Sequence, residues 1–268
     1  MDNWGVNMNS VCCSDIPAFQ MLENLYFVGS SRVSVHIIRT SEGLVMLDTG
    51  YPDMYEQILD SMAQLALDPR QIVAIIHSHG HIDHFGCTRQ FQTISGAKTY
   101  ISRIDHDILT GKCDLSWARE LGYPVPEPFT CDVLVEDGDI FTFGDTEIRC
   151  CLTPGHTDGV LSIFVKIPNG EHTVLAGMHG GVGLNTLQTD FLQRYGLPLA
   201  NRELFRLSLH KVMDEPVELV MGNHPYQNNT VAMLEKRKRG QSVVDPAQWR
   251  RFLLSVEQKL DELIAQEK

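Results

Sequence analysis

The densest group of potential metal ligands in the chain is the decapeptide HSHGHIDHFG, residues 77–86, which contains four histidines and one aspartate. Imidazole nitrogens and carboxylate oxygens are ligands that zinc binds well, and a catalytic zinc ion takes three protein ligands and keeps one position open for water. The decapeptide contains more potential ligands than a single zinc ion needs. It therefore predicts part of a site for two neighbouring metals, with ligands drawn from His79, His81, Asp83 and His84.

Three more polar residues also follow strand-like apolar runs: Asp48 in LDTG, His156 in TPGHTDG and His224 in GNHP. The run QIVAIIHS, residues 71–78, has the continuous apolar character of a strand buried on both faces, and it leads into the histidine cluster. Open α/β sheets place their sites at the carboxyl ends of strands. A lone loop histidine is most often solvated or a hydrogen-bonding partner, but the repeated placement favours one shared site.

The segments that must position these residues form two sets of strands. RVSVHIIRT (32–40) and GLVMLDTG (43–50) are rich in β-branched residues and are joined by a short turn, which predicts an antiparallel meander. Within residues 131–153, the turn pairs Asp137-Gly138 and Gly144-Asp145 predict a further run of hairpins. Helical spacing of apolar residues between and after these strands predicts two stacked sheets with outer helices.

The C-terminal segment, residues 245–268, is predicted to form one amphipathic helix with Asp245 as its N-cap and Pro246 at its first position. Its apolar stripe favours packing on the rest of the domain over a dimer contact. The stripe consists of Trp249, Phe252, Leu253, Val256, Leu260, Leu263 and Ile264. Because no linker interrupts the patterning, residues 1–268 are predicted to form a single domain.

The composition of the chain limits which partners it can bind and indicates its cellular compartment. The chain has 268 residues, with 34 acidic against 22 basic side chains and a formal net charge of −12, which argues against a nucleic-acid partner. No apolar run reaches membrane-spanning length. The start, MDNWGVNMNSVCCSD, lacks the features of a signal peptide, and seven cysteines with the adjacent pairs Cys12-Cys13 and Cys150-Cys151 do not form a disulfide framework. These features predict a cytoplasmic protein, or a secreted or periplasmic one if a leader has been removed, and they indicate no oligomeric state.

The motifs resemble those of the metallo-β-lactamase superfamily. LDTG, the His79-x-His81-x-Asp83-His84 motif, TPGHTDG and GNHP occur in that family's order and rough spacing, from about Asn24 to about Pro225. The resemblance implies an α/β fold of the αββα sandwich type, built from two stacked mixed sheets with outer helices, and two zinc ions in a groove at one edge of the sheets. It further implies that the first zinc is bound by His79, His81 and His156, that the second, weaker zinc is bound by Asp83, His84 and His224, and that Asp48 orients ligands without binding metal.

The residue at position 81 distinguishes zinc-dependent hydrolysis from iron-dependent oxygen reduction. Oxygen-reducing di-iron members of the family resemble this motif but carry glutamate where this chain has His81, so the resemblance favours zinc and hydrolysis. Two zinc ions lower the pKa of a shared water to about 7 and polarise a substrate carbonyl. Asp83 is expected to bind metal, to orient the hydroxide and to pass a proton to the leaving group.

Met178 marks a departure from the common family pattern. Many hydrolases of the superfamily have a metal-bridging aspartate where this chain reads VLAGMHGG, and a thioether is a poor ligand for zinc. Without that carboxylate, the chain is most similar to the histidine-rich third subclass of metallo-β-lactamases. The next residue, His179, is predicted not to bind metal, because successive strand residues point to opposite faces.

The substrate is expected to be a small molecule with a carbonyl, either a β-lactam-like cyclic amide, a lactone or an ester. One alternative is a glyoxalase-II-like thioesterase or a lactonase, and another is a catalytically degenerate module that binds metal or a metabolite. Glyoxalase-II-type relatives end in a helical domain with basic residues, whereas only a short segment follows His224 here. The RNA-processing nucleases of the superfamily carry insertions for which the segment between His156 and Met178 leaves no room.

Overall fold

The computed structural model describes residues 16–267. The predictions made for the first fifteen residues, namely the missing signal peptide and the Cys12-Cys13 pair, lie outside these residues. No helix within the described range is long and apolar enough to cross a membrane.

The first sheet has seven strands that lie side by side in chain order. They are β1 (Phe19–Leu22), β2 (Leu25–Phe27), β3 (His36–Thr40), β4 (Gly43–Leu47), β5 (Ile72–Ile76), β6 (Lys98–Ser102) and β7 (Val133–Val135). Strands β1 to β4 are antiparallel, so the predicted meander is confirmed, and β4 to β7 are parallel. Because β5 lies inside the parallel part, its carboxyl end delivers the histidine cluster to the sheet edge.

The second sheet has five strands in the order β12-β11-β10-β9-β8. They are β8 (Ile140–Phe143), β9 (Thr146–Leu152), β10 (Leu161–Asn169), β11 (His172–Met178) and β12 (Leu219–Val220). All neighbours are antiparallel except β11 and β12, so both sheets are mixed. The predicted hairpin at Gly144-Asp145 joins β8 and β9, and Gly144 has a φ of +61°, a conformation that glycine adopts without strain.

The prediction of a hairpin at Asp137-Gly138 is wrong. Strand β7 pairs in parallel with β6 in the first sheet, so the chain crosses from one sheet to the other at these residues. The Asp132 carboxylate accepts hydrogen bonds from the Thr99 N–H and hydroxyl, which fixes the start of β7 beside β6. The same turn dipeptide can occur in a hairpin and in a crossover, so the local sequence does not distinguish the two. The pairing of β7 with β6, which are distant in the chain, makes this turn a crossover.

Helices cover the outer faces of both sheets. In chain order they are α1 (Tyr55–Gln64), α2 (Ile82–Phe85), α3 (Thr88–Ser95), α4 (His106–Leu109), α5 (Thr189–Arg194), α6 (Asn201–Val212), α7 (Pro225–Asn228), α8 (Thr230–Lys238) and α9 (Gln248–Gln266). Helices α1 and α3 share an apolar cluster with the first sheet, and α6 and α9 share one with the second. A third cluster fills the space between the sheets, where Val45 of β4 and Ile163 of β10 are fully buried. The predicted αββα sandwich is confirmed.

Helix α9 begins three residues after the predicted cap. The Asp245 carbonyl accepts a hydrogen bond from the Gln248 N–H (3.0 Å), which closes a turn over Pro246 before the helix starts. The Asp245 carboxylate accepts the Ala247 N–H (3.1 Å) and contacts Arg251 (2.6 Å), so it stabilises this turn. The apolar stripe of α9 packs against the second sheet.

Candidate metal centre

Six of the seven predicted site residues come together in two adjacent groups. The first group contains His79, His81 and His156, and the second contains Asp83, His84 and His224. Within each group, one nitrogen or carboxylate oxygen from each residue lies within 4.8 Å of the others. Five of the six residues are buried, and the His224 side chain is 20% exposed. We refer to them below as the first and the second group.

Four of these residues come from the single loop that follows β5. The chain leaves the strand at Ile76, passes through His79 and His81, and enters α2, whose first turn carries Asp83 and His84. Gly86 lets this loop close, because a Cβ there would lie 2.4 Å from the backbone nitrogen of Pro52. The short spacing of the motif therefore places ligands of both groups at one end of one strand.

The other two histidines come from the second sheet. His156 lies between β9 and β10, and His224 follows β12 as the N-cap residue of α7. The rings of His156 and His79 lie 4.9 Å apart, and those of His224 and His84 lie 5.2 Å apart. Each group is therefore completed only when the two sheets are stacked.

Hydrogen bonds on the outer side of the rings fix which nitrogens face inward. The Nδ1 atoms of His156 and His224 donate to the carbonyls of Gly183 (2.7 Å) and Arg32 (2.9 Å). The Nδ1 of His84 donates to the Asp48 carboxylate (2.8 Å). A neutral imidazole that donates from Nδ1 keeps its lone pair on Nε2, so these three rings present Nε2 as the ligand atom.

The first group also contains a ring with the opposite orientation. His81 places its Nδ1 3.0 Å from the Nε2 of His79, so these two nitrogens face each other in a buried space. His79 uses its own Nδ1 for a contact with the Ser78 hydroxyl (3.1 Å). Inward-facing imidazole nitrogens together with one carboxylate are the donor set that zinc prefers, so the residues present fit two zinc ions.

Asp48 lies behind the second group and belongs to neither group. Its carboxylate is buried and accepts hydrogen bonds from the Ser78 N–H (2.7 Å), the Ser78 hydroxyl (2.8 Å) and His84. The residue has a φ of +59°, a backbone conformation that is uncommon for residues other than glycine. Its contacts fit the predicted role of orienting a ligand, and that role remains a prediction.

The two groups differ in charge. Burial lowers the pKa of His79 and His81 well below the usual value and that of His156 to about 4, so the first group consists of neutral imidazoles at neutral pH. In the second group, burial opposes the charge on Asp83, but the neighbouring His84, His224 and His81 together outweigh it and lower the pKa of the carboxyl group. Burial also lowers the pKa of His84, and the carboxylates of Asp83 and Asp48 outweigh it and raise that pKa to about 10, so a metal that binds Nε2 must displace a proton from this ring.

Met178 and His179 lie outside both groups. Met178 ends β11, and its side chain packs in the apolar cluster between the sheets. The His179 ring is buried near Phe205, and burial lowers its pKa to about 3. Among the described residues its Nε2 has no hydrogen-bond partner.

A small cavity of about 60 Å³ adjoins the first group. His81 and His156 form part of its wall, apolar side chains such as Leu115 and Phe191 form another part, and Asp158 contributes an acidic group. No Lys or Arg is among its described lining residues. Trp117 lies beside the cavity, with its ring 5.7 Å from His81 and 4.8 Å from Phe191, and its φ of +62° is strained for a bulky residue.

Two residues that surround the site were not predicted from the sequence. Asp105 is buried between the loops that carry the first group. Arg32 supplies the carbonyl that accepts from His224, and its guanidinium pairs with Asp53 and Tyr123. No sequence signal marks either residue, because their partners lie tens of residues away along the chain.

Comparison with known proteins agrees with this geometry. A family model described as the metallo-beta-lactamase superfamily matches residues 28–170, which is more than half of the chain. The solved structure of BJP-1, a subclass B3 metallo-beta-lactamase of Bradyrhizobium japonicum, superposes with a TM-score of 0.84 at 24% identity and covers 94% of this chain and 95% of that chain.

Two curated relatives match shorter stretches. YflN of Bacillus subtilis, a probable metallo-hydrolase, is 29% identical over 157 residues, which is 53% of this chain and 56% of the relative. AttM of Rhizobium radiobacter, an N-acyl homoserine lactonase, is 25% identical over 130 residues, which is 46% of this chain and 47% of the relative. The chain thus spans about half the length of these two relatives.

Proposed function

Because the chain belongs to the metallo-beta-lactamase superfamily, we propose that it is a zinc-dependent hydrolase with a binuclear site that cleaves a small molecule at a carbonyl carbon. The observation that carries this proposal is the convergence of five imidazoles and one carboxylate in two adjacent groups at the junction of the sheets. The similarity to a probable metallo-hydrolase supports the same reaction class.

In this proposal the first zinc is held by His79, His81 and His156, and the second by Asp83, His84 and His224. Bound zinc supplies a water whose pKa is lowered to about 7 and a positive charge for the carbonyl oxygen. The chain's own contribution is to hold the donors in place.

Asp83 has a second part in the proposed reaction. One of its carboxylate oxygens lies 3.4 Å from the His84 Nε2 and 3.6 Å from the His224 Nε2. A carboxylate held between two imidazoles can orient the attacking water and carry its proton to the leaving group. Asp48 supports this role indirectly, because it holds His84 by its Nδ1 hydrogen bond.

The surroundings of the first group favour an uncharged substrate. The adjoining cavity is lined by apolar side chains and by acidic ones such as Asp158, without Lys or Arg among the described residues. Such a wall repels a carboxylate and accepts a neutral apolar group. We therefore propose a lactone, an ester or a β-lactam-like cyclic amide as the substrate. A cyclic amide that carries a carboxylate, such as a cephalosporin, fits this wall less well than a neutral one. A glutathione thioester, which is anionic, fits this wall less well.

Among these substrates, a lactone is favoured by a specific observation. The match to AttM, an N-acyl homoserine lactonase, spans 130 residues, and a neutral lactone suits a wall without basic residues.

We also propose a cytoplasmic location and a small-molecule partner. The five cysteines within residues 16–267 are free thiols, which supports a reducing compartment. The net charge of −12 supports the absence of a nucleic-acid partner.

The test is hydrolysis by the zinc-loaded protein, measured on a chromogenic cephalosporin, an acyl lactone, a nitrophenyl ester and an acyl thioester, with and without a chelator. We expect chelator-sensitive turnover of at least one neutral substrate and two zinc ions per chain. Bound zinc without turnover of any of the four substrates would contradict the hydrolase proposal and favour a metal-binding module.

A further inference from the structure

Asp105 is a buried carboxylate for which the proposed reaction has no use. It lies between β6 and α4, its side chain is almost fully buried, and its backbone N–H donates to the Ser102 hydroxyl (3.1 Å). No ion pair within residues 16–267 includes it. Burial raises its pKa to about 6, so placing this group here is unfavourable unless its hydrogen bonds compensate.

One oxygen of Asp105 joins the two loops that carry the first group. Its Oδ2 accepts the Gly80 N–H (2.8 Å) and the Thr157 hydroxyl (2.6 Å). Gly80 lies between His79 and His81 in the chain, and Thr157 directly follows His156. A single carboxylate therefore fixes the distance between a loop of the first sheet and a loop of the second.

Two glycines of the sequence motifs allow this close approach. A Cβ on Gly159 would lie 2.5 Å from Asp105 Oδ1 and 2.2 Å from the Ser102 hydroxyl oxygen. A Cβ on Gly80 would lie 2.8 Å from the Ile108 side chain. Residues at these positions need to lack a side chain, because the carboxylate and its neighbours occupy that space.

We propose that Asp105 is a positioning residue that holds the two loops of the first group at the separation its metal requires; this rests on the proposed function. Asp105 touches no ligand side chain of the group and acts through the backbone of Gly80 and the hydroxyl of Thr157. Hydrogen-bond partners outside the ligand set typically change metal affinity by 10- to 100-fold when they are removed. Loss of this carboxylate should weaken and distort the first group and leave the second group intact.

The chain contains a control with the same kinds of bonds. The Asp132 Oδ2 accepts the Thr99 N–H (2.8 Å) and the Thr99 hydroxyl (2.9 Å), so it also joins two segments of chain. It contacts neither ligand group. Asp132 is exposed, unlike Asp105, but Asp132→Asn removes a carboxylate with the same kinds of partners without affecting the loops of the first group.

The experiment uses cobalt(II) as the probe, added to metal-free protein in which His224→Ala weakens the second group. In this background we compare Asp105→Asn, Thr157→Val, Thr157→Ser and Asp132→Asn by cobalt affinity against a competing chelator, by the visible d–d spectrum and by thermal unfolding. The Gly159 N–H also donates to the Asp105 carboxylate, and an asparagine cannot accept it while keeping both Oδ2 bonds. We therefore expect Asp105→Asn to lower cobalt affinity by about 10- to 100-fold and to change the spectrum. Thr157→Val should act in the same direction, whereas Thr157→Ser and Asp132→Asn should resemble the background.

Native affinity and spectrum in Asp105→Asn would overturn the positioning role, even if its unfolding temperature fell. If Asp105→Asn does not fold, the Thr157 pair decides, and equal affinities for the Val and Ser variants would overturn the role. A protein that binds no cobalt even without substitutions would instead overturn the proposed function, together with this inference.

Discussion

The two ligand groups lie next to each other, with the rings of His79 and His84 4.2 Å apart, but different structures hold them in place. The first group is neutral and buried, and its loops are joined by Asp105. The second group is charged, and its outermost member, His224, is partly exposed. Packing and backbone contacts thus define the first group, whereas charge pairs define the second.

The hydrogen bonds that hold the ligands of the second group explain why we expect this group to bind metal more weakly than the first. On its inner side, Asp48 holds His84. On its outer side, the carbonyl that accepts from His224 belongs to Arg32, whose guanidinium is 40% exposed and is held by Asp53. An exposed ion pair contributes little stability, so this outer support is weaker than the buried hydrogen bonds of the first group.

The largest effect is expected from Asp83→Ala. This change removes a ligand of the second group and the carboxylate proposed to carry the proton, so kcat should fall by about 10²- to 10⁴-fold. Zinc content should fall toward one ion per chain, as measured by elemental analysis. Asp68→Ala is the matched control, because Asp68 bonds with Arg70 within its own turn. Turnover of Asp83→Ala at the native rate would refute the two-metal reaction.

A smaller effect is expected from Asp48→Asn. The amide cannot reproduce every bond of the carboxylate, which accepts from His84 and from both the N–H and the hydroxyl of Ser78. Zinc affinity of the second group should fall by about 10- to 100-fold, whereas that of the first group should fall less, because Asp48 reaches His79 only through the Ser78 hydroxyl. Stepwise zinc competition with a chromophoric chelator measures both affinities. An equal loss in the two groups would contradict the separation drawn between them.

The smallest effect is expected from Arg32→Ala. The hydrogen bond to His224 comes from the backbone carbonyl and survives the substitution, whereas the guanidinium contacts with Tyr123 and Asp53, which support that carbonyl, are lost. An exposed ion pair of this kind contributes about 1 kcal/mol or less, which corresponds to roughly a fivefold loss of affinity in the second group. The same zinc competition measures it. Arg70→Ala, which breaks a similar pair with Asp68, should change neither affinity.

The sequence patterns predicted two stacked sheets with outer helices, and their resemblance to a known family implied the αββα fold. The structure brings together six of the residues nominated in this way. That was possible because four of the six lie in one decapeptide after one buried strand, where local spacing carries the information. The roles assigned to these residues remain predictions. Asp105 could not be found in this way, because its partners Gly80 and Thr157 are 25 and 52 residues away along the chain.

The errors of the sequence analysis have the same origin. The Asp137-Gly138 dipeptide predicted a hairpin, but pairing of β7 with β6 makes it a crossover between sheets. The C-terminal helix starts later than predicted because Asp245 stabilises a turn before it. In both cases the residues do form a turn, as their local sequence indicates. Contacts that form only in the folded chain decide whether that turn belongs to a hairpin, a crossover or a helix start.

The most direct test of the central claim is anomalous scattering at the zinc absorption edge from crystals of the zinc-loaded protein. The account predicts two peaks. One should lie between His79 Nε2, His81 Nδ1 and His156 Nε2, and a second, less occupied one should lie between Asp83, His84 Nε2 and His224 Nε2. The absence of a peak from the first group, or zinc bound only by other residues, would contradict it.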